Sequence, residues 1–326
     1  MRSKHSAQRR RVVHLLGGAA AVGLLPLHLQ AAEVNVKDLF DAHVHIMTKD
    51  PVRYPFSEEY KTLTRDVALI SPTAESLLPL LQKHGVKYAA LVQHDPVYGD
   101  DNGYIADAAR KNPKQLVAVG RLNAGYPNAV ELMRMWVKQR GLGGFRVNGA
   151  SGMGPTGMIG GVKWLEEPAT MKVWDAAVEL QTPLLLLLSD ANRDDALAAL
   201  RRVMKQQPKL QLVLDHLSDF NGKDENAPGV VPTSLLAAAS IPNLYVKVST
   251  HNFRRLALNK GSPQAAMKKL VAAFGANRIV WGSDVGNTPI DYATMVAMAK
   301  SAVSELSVTD QQLILSGTAR ALYRLG

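Results

Sequence analysis

Phe40-Asp41-Ala42-His43-Val44-His45-Ile46 is a short β-rich run that carries two histidines spaced two apart. Side chains alternate along an extended chain, so this spacing puts both imidazoles on one side of a strand. Seven more runs of this kind follow. Residues 87–93 (KYAALVQ) come after an amphipathic 74–85 segment, 116–122 (LVAVGRL) after 103–111, and 142–148 (LGGFRVN) after 128–139. Residues 182–189 (TPLLLLLS) follow 170–180, 211–217 (QLVLDHL) follow 192–206, 243–250 (NLYVKVST) follow 232–239, and 278–284 (RIVWGSD) follow 263–274. Helical patterns at 291–304 and 309–324 close the chain. Eight strands alternating with helices predict a parallel sheet with both faces covered. Eight is also the number that closes an α/β fold of the (β/α)8 TIM barrel type. A doubly wound sheet is the competing architecture, but no glycine-rich phosphate loop follows the first strand.

The chain has 326 residues and no cysteine, which excludes disulfides, thiolate metal sites and a cysteine nucleophile. Its formal charge of +10 is front-loaded. Arg2, Lys4, Arg9, Arg10 and Arg11 precede the first acidic residue, Glu33, and the remainder holds 33 basic against 28 acidic residues. With no basic stripe interleaved with aromatics, nucleic acid is not an expected partner. Arg9-Arg10-Arg11 lead into an apolar stretch over 15–29, broken only by His28, and Ala31-Ala32 offer small residues for cleavage. This pattern predicts a signal peptide over 1–32 of the twin-arginine type, and so export to the periplasm. The apolar stretch is shorter than the ~20 residues that span a bilayer, so no stable membrane anchor is expected after cleavage. Residues 33–326 then form a single domain. The long loops 47–73 and 149–168 follow strands one and four, on the face where a barrel keeps its active site, and could form a lid.

Polar residues collect at the carboxyl ends of the strands. His43 and His45 end strand one, His216 ends strand six and Asp284 ends strand eight, while His94 and His251 follow strands two and seven. Of the six histidines beyond residue 32, only His84 falls at the end of a helix. Arg146 ends strand four and Lys247 lies inside strand seven. A charge within an apolar strand must be paired or face a polar site. Both cations therefore either pair internally with Asp215 or Asp284, or grip an anionic substrate. Arg254 and Arg255 follow strand seven and could do the same. Gln93, Asp95 and Asn102 flank the second loop.

The chain resembles the amidohydrolase superfamily at His43-x-His45, Leu214-Asp215-His216, Val246-Lys247-Val248-Ser249 and Gly282-Ser283-Asp284. Residues 142–146 and 316–323 are similar too, so the likeness runs nearly end to end beyond the leader. The nearest branch is the amidohydrolase-2 group, which holds 2-pyrone-4,6-dicarboxylate lactonase, sugar-acid lactonases and metal-dependent decarboxylases. The resemblance implies a hydrolase that opens a lactone or related cyclic ester of a small anionic, carboxylated substrate. Asp284 would deprotonate water, and His43, His45 and His216 would polarise the carbonyl and stabilise the oxyanion. Arg146, Lys247, Gln93, His251 and Arg254 would bind the substrate.

The implied cofactor is none, or one divalent metal, Zn2+ foremost, on His43, His45 and Asp284. Strand five ends Leu188-Ser189-Asp190 without the histidine that metal-dependent members place there, and strand four offers Arg146 rather than a bridging Lys or Glu. Both departures speak against a binuclear centre. After Asp284, Val285-Gly286 stand where relatives carry Trp-Pro. A metal-dependent decarboxylase or amide hydrolase on the same scaffold is the alternative, and a periplasmic ligand-binding pseudoenzyme a distant one. Small homo-oligomers are common for such enzymes.

Overall fold

The computed structural model describes residues 34–62, 67–149, 153–154, 157–158, 161–219 and 230–326. The leader expected over 1–32 lies outside the described residues, as do parts of both candidate lid loops. The eight expected strands are β1 (Leu39–Val44), β2 (Val86–Val92), β3 (Leu116–Asn123), β4 (Gly144–Asn148), β5 (Leu184–Leu186), β6 (Leu212–Leu214), β7 (Leu244–Ser249) and β8 (Ile279–Gly282). They lie side by side in sequence order, and every neighbouring pair is parallel. The ring closes where β1 meets the end of β8. The Asp284 N–H donates to the His43 carbonyl and the His45 N–H to the Val285 carbonyl, both at 2.9 Å. The fold is the expected (β/α)8 TIM barrel. No helix among the described residues is long and apolar enough to cross a membrane.

Two strands are shorter than their apolar runs. β6 stops at Leu214 because His216, Leu217 and Ser218 turn left-handed, with φ of 49°, 52° and 57°. A β5 of three residues gives way to the 3-10 turn Asp190–Asn192, which Ser189 and Asn192 cap reciprocally ahead of the helix Arg193–Gln206. The closing segment is helical as expected, but a π-helical turn over Leu313–Gly317 separates Val308–Gln312 from Thr318–Tyr323. That last helix plugs the amino end of the barrel. Ala319, Leu322 and Tyr323 join Phe40, Tyr88, Val117, Leu185, Val213 and Val280 in one buried interior cluster. The Phe40 ring stacks 6.0 Å from Tyr88 and 5.9 Å from Tyr323. The apolar floor leaves only the carboxyl end of the barrel for polar groups.

A bulge in β1 decides where the two histidines point. Asp41 pairs with Ala89 and Val44 with Leu91, so three steps on β1 oppose two on β2. The extra residue reverses the alternation. Phe40 and Ala42 face the interior below the bulge, and His43 and His45 face it above. Asp41 turns outward, accepting from the Ser283 and His43 amides (2.8 and 3.1 Å) and from the Tyr292 hydroxyl (2.9 Å). It pins the β1–β8 seam to the helix Tyr292–Val303.

At this seam the backbones approach too closely for a side chain on β8. A Cβ on Gly282 would lie 2.4 Å from the His43 Cβ and 2.8 Å from its amide nitrogen. Gly282→Ala should therefore cost about 1–3 kcal/mol, the usual scale for overpacking a core. Urea unfolding of the two proteins checks this, and an unchanged midpoint would contradict the packing described.

Candidate active site

The floor of the mouth is a buried ion cluster. Asp215 follows β6 and has no exposed surface. Its Oδ2 is bound by Arg146 Nε and Nη2 at 3.0 and 2.9 Å, and its Oδ1 lies 2.7 Å from Lys247 Nζ. Burial alone would push the Asp215 carboxyl up, but the Lys247 ammonium and the Arg146 guanidinium outweigh it and hold it well below the usual carboxylate range. Both strand cations are thus partners of Asp215. Of the two roles open to them from sequence, the internal pair is the one the geometry displays.

His43 sits directly above this cluster. Its Nδ1 is 3.3 Å from Lys247 Nζ and 3.8 Å from Asp215 Oδ1. Its Nε2 is 3.1 Å from both His45 Nε2 and Arg146 Nη2. Burial, reinforced by Lys247, holds His43 well below the ordinary histidine range, so the ring is neutral.

The hydrogen bonds of the other two imidazoles fix their tautomers. His45 Nδ1 lies 2.9 Å from the Val92 carbonyl, which only accepts, so the ring proton is on Nδ1 and a neutral ring keeps its lone pair on Nε2. His216 Nδ1 lies 2.8 Å from Ser249 Oγ, itself 3.1 Å from Asn252 Oδ1. Asn252 Nδ2 donates to the His216 carbonyl at 2.7 Å, which orients that amide. The Ser249 hydroxyl must then donate to Asn252 and accept from His216 Nδ1–H, so His216 also carries its lone pair on Nε2. Burial lowers His216 to about 4. The same ring of bonds supports the left-handed turn at His216, a conformation that costs about 1–2 kcal/mol per residue.

Asp284 completes the group. Its Oδ2 accepts from Thr288 Oγ1 (2.7 Å) and Asn287 Nδ2 (3.0 Å). Its Oδ1 is buried with no hydrogen-bond partner among the described residues, 3.5 Å from His45 Nε2 and 3.7 Å from His43 Nε2. Atoms that share a cation at about 2.0–2.2 Å stand about 3.0–3.5 Å apart. The unpartnered carboxylate oxygen and the two imidazole nitrogens therefore fit a single divalent metal, held by His43, His45 and Asp284.

The other expected residues are spread more widely. The His94 ring stacks 4.5 Å from His45, and the half-buried His251 ring lies 6.1 Å from His216. Arg254 is exposed on the helix Thr250–Leu258. Gln93 is buried and donates to the Asp101 and Gly99 carbonyls, so it holds the loop after β2. Asn102 binds the Arg121 backbone from both sides, at 2.7 and 3.0 Å. Sequence reasoning named Ser249 only within the motif at 246–249 and gave no role to it, to Asn252 or to Arg121. The spacing Ser249-x-x-Asn252 is a helix-capping signal that could have found the first two.

With this geometry in place, three comparisons locate the chain among known proteins. An amidohydrolase family profile matches residues 40–325, and the chain belongs to that family. It is an enzyme of the amidohydrolase superfamily. By sequence, no curated protein matches it. Among solved structures it is similar to a probable 2-pyrone-4,6-dicarboxylic acid hydrolase from Acinetobacter baumannii with citric acid bound, at 19% identity over 88% of this chain and 100% of that one, with a TM-score of 0.62. A zinc-bound amidohydrolase from Burkholderia multivorans has 17% identity over 88% and 99% of the two chains, with a TM-score of 0.63. The 2,6-dihydroxybenzoate decarboxylase from Rhizobium has 16% identity over 89% and 99%, with a TM-score of 0.62. At these identities the likeness speaks for the fold.

Two substitutions test this geometry. Asp215→Asn leaves two buried cations with one compensating charge fewer and should cost about 3–5 kcal/mol. Ser249→Ala strands the His216 Nδ1–H and should cost about 1–3 kcal/mol, much of it restored by Ser249→Thr. Denaturant unfolding measures both, and losses near zero would contradict the assigned bonds.

Proposed function

We propose that this protein hydrolyses a lactone or related cyclic ester of a carboxylated substrate, with His43, His45 and Asp284 holding one divalent cation, Zn2+ or Mn2+. The observation that supports this most is the convergence of three donor atoms, with the His45 ring proton and the second Asp284 oxygen otherwise engaged. When bound, such a cation lowers the pKa of a water and polarises the ester carbonyl. The chain's own residues do the rest. Asp284, through the carboxylate whose Oδ1 would hold the cation, takes the proton of the attacking water. The water oxygen adds to the carbonyl carbon, the ring C–O bond breaks, and the proton passes to the departing alkoxide, with His216 Nε2 as the nearby acceptor that can relay it. Arg146 and Lys247 share the single carboxylate of Asp215, so the floor keeps a net positive charge. The basic and apolar pattern of residues 1–32 supports a periplasmic location, reached by the twin-arginine route.

The direct test is turnover of 2-pyrone-4,6-dicarboxylate, followed by loss of the pyrone absorbance. Activity should fall on chelation and return with Zn2+ or Mn2+. Asp284→Asn should lower kcat by about 10²–10⁴-fold. Release of carbon dioxide from a hydroxybenzoate, with carboxylated lactones left intact, would overturn the hydrolase reading in favour of decarboxylation.

A further inference from the structure

Arg121 stands on the wall of the mouth, and the chemistry above gives it no role. Val117 and Val119 of β3 face the barrel interior, so alternation carries Arg121 to the same face two residues higher. It lies directly opposite Arg146 in the β3–β4 register, with Asn123 opposite Asn148 two residues above.

The two arginines differ in how fully they are engaged. Arg146 donates from Nε and Nη2 to Asp215 and reaches His43, with its side chain 8% exposed. Arg121 makes one ion pair among the described residues, with Nε 3.3 Å from Asp100 Oδ1, and this buried Nε has no well-formed hydrogen bond. Its side chain is 15% exposed, so it can be reached from solvent. Asp100 is 45% exposed and shares its other oxygen with the Tyr126 hydroxyl at 2.6 Å. A nearly buried guanidinium so weakly satisfied is costly unless a further anion completes it.

The surrounding structure holds this group in place. β2 leaves the ladder after Val92, and the Asn102 amide takes over as partner of the Arg121 N–H and C=O. The Asn148 Oδ1 on the same wall is buried and unpartnered among the described residues. Asp95 is buried nearby, within the electrostatic reach of Arg146, Arg121 and His45 together, so all four groups share one space.

We infer that Arg121 seats the carboxylate of the substrate, as a specificity residue separate from the metal-ligand group, with Asp100 as the internal carboxylate that an incoming one displaces. The inference rests on the carboxylated-substrate reading above. A planar fork matches a carboxylate in a way an ammonium does not. The neighbouring Asn148 then faces the body of the ligand, which favours a ring carrying a hydroxyl or a protonated group beside its carboxylate.

The test uses isophthalate, a ring dicarboxylate with no ester, titrated calorimetrically into the full-length protein. Binding is then read whether or not the barrel opens lactones. Arg121→Gln should weaken isophthalate by about 10–100-fold, with Arg121→Lys between it and the wild type. Benzamide, which lacks the charge, should bind all three proteins alike. Asp100→Asn removes the competing carboxylate and should tighten isophthalate, which keeps the test open if Arg121→Gln folds poorly. Equal binding by the wild type and Arg121→Gln, weaker or unchanged binding by Asp100→Asn, or no binding to the wild type would each overturn the assignment. If isophthalate behaves as expected while no carboxylated lactone is opened, the reaction fails and the carboxylate seat stands.

Discussion

The contact between Asp215 and its two cations governs the upper half of the barrel. A carboxylate with no exposed surface is tolerable only when opposite charge and hydrogen bonds meet it directly. Arg146 from β4 and Lys247 from β7 do so from two sides, tying three strands together through the centre. Arg146 and Lys247 also bracket the His43 ring, at Nε2 and Nδ1. A third positive charge on that ring would be repelled, which adds to burial in keeping it neutral. The ion cluster that stabilises the barrel thus also keeps His43 able to offer a lone pair.

The backbone around the site departs from regular structure wherever a polar group must be aimed. The β1 bulge turns His43 and His45 inward, and Asp284 takes a left-handed φ of 65°. His216 opens a left-handed turn held by Ser249 and Asn252. A Cβ on Gly286, whose φ is 88°, would meet the His45 carbonyl at 2.5 Å. Each departure costs some stability and places one donor or acceptor at the mouth, as strain at functional sites commonly does. The apolar floor of Phe40, Tyr88 and Tyr323 is correspondingly regular.

Much of this was legible in the sequence, for a physical reason. Parallel strands covered on both faces must be apolar throughout, so runs such as 87–93 and 116–122 stand out, and the helices between them show their own period. The polar residues at the carboxyl ends stand out against those runs, which made His43, His45, His216 and Asp284 visible. Alternation put the two strand-one imidazoles on one side. Only the bulge determines that this is the side that Phe40 also faces, and a bulge is a property of pairing with β2. Arg121 was hidden because one arginine near a strand end gives no signal until its opposite partner in the register is known. Asn102 was visible as a polar residue, but its bonds to a backbone 19 positions away were not. The brevity of β5 and β6 follows from turns that composition does not mark.

The central claim is that His43 and His45 present unprotonated Nε2 atoms to a point they share with Asp284. Histidine-selective ¹⁵N NMR of the chelated protein, repeated after one equivalent of Zn2+, measures this directly. The account predicts a proton on His45 Nδ1 both before and after zinc, with the Nε2 resonances of His43 and His45 moving together to metal-bound positions at one equivalent. A proton on His45 Nε2 in the chelated protein, or resonances that ignore zinc, would contradict it.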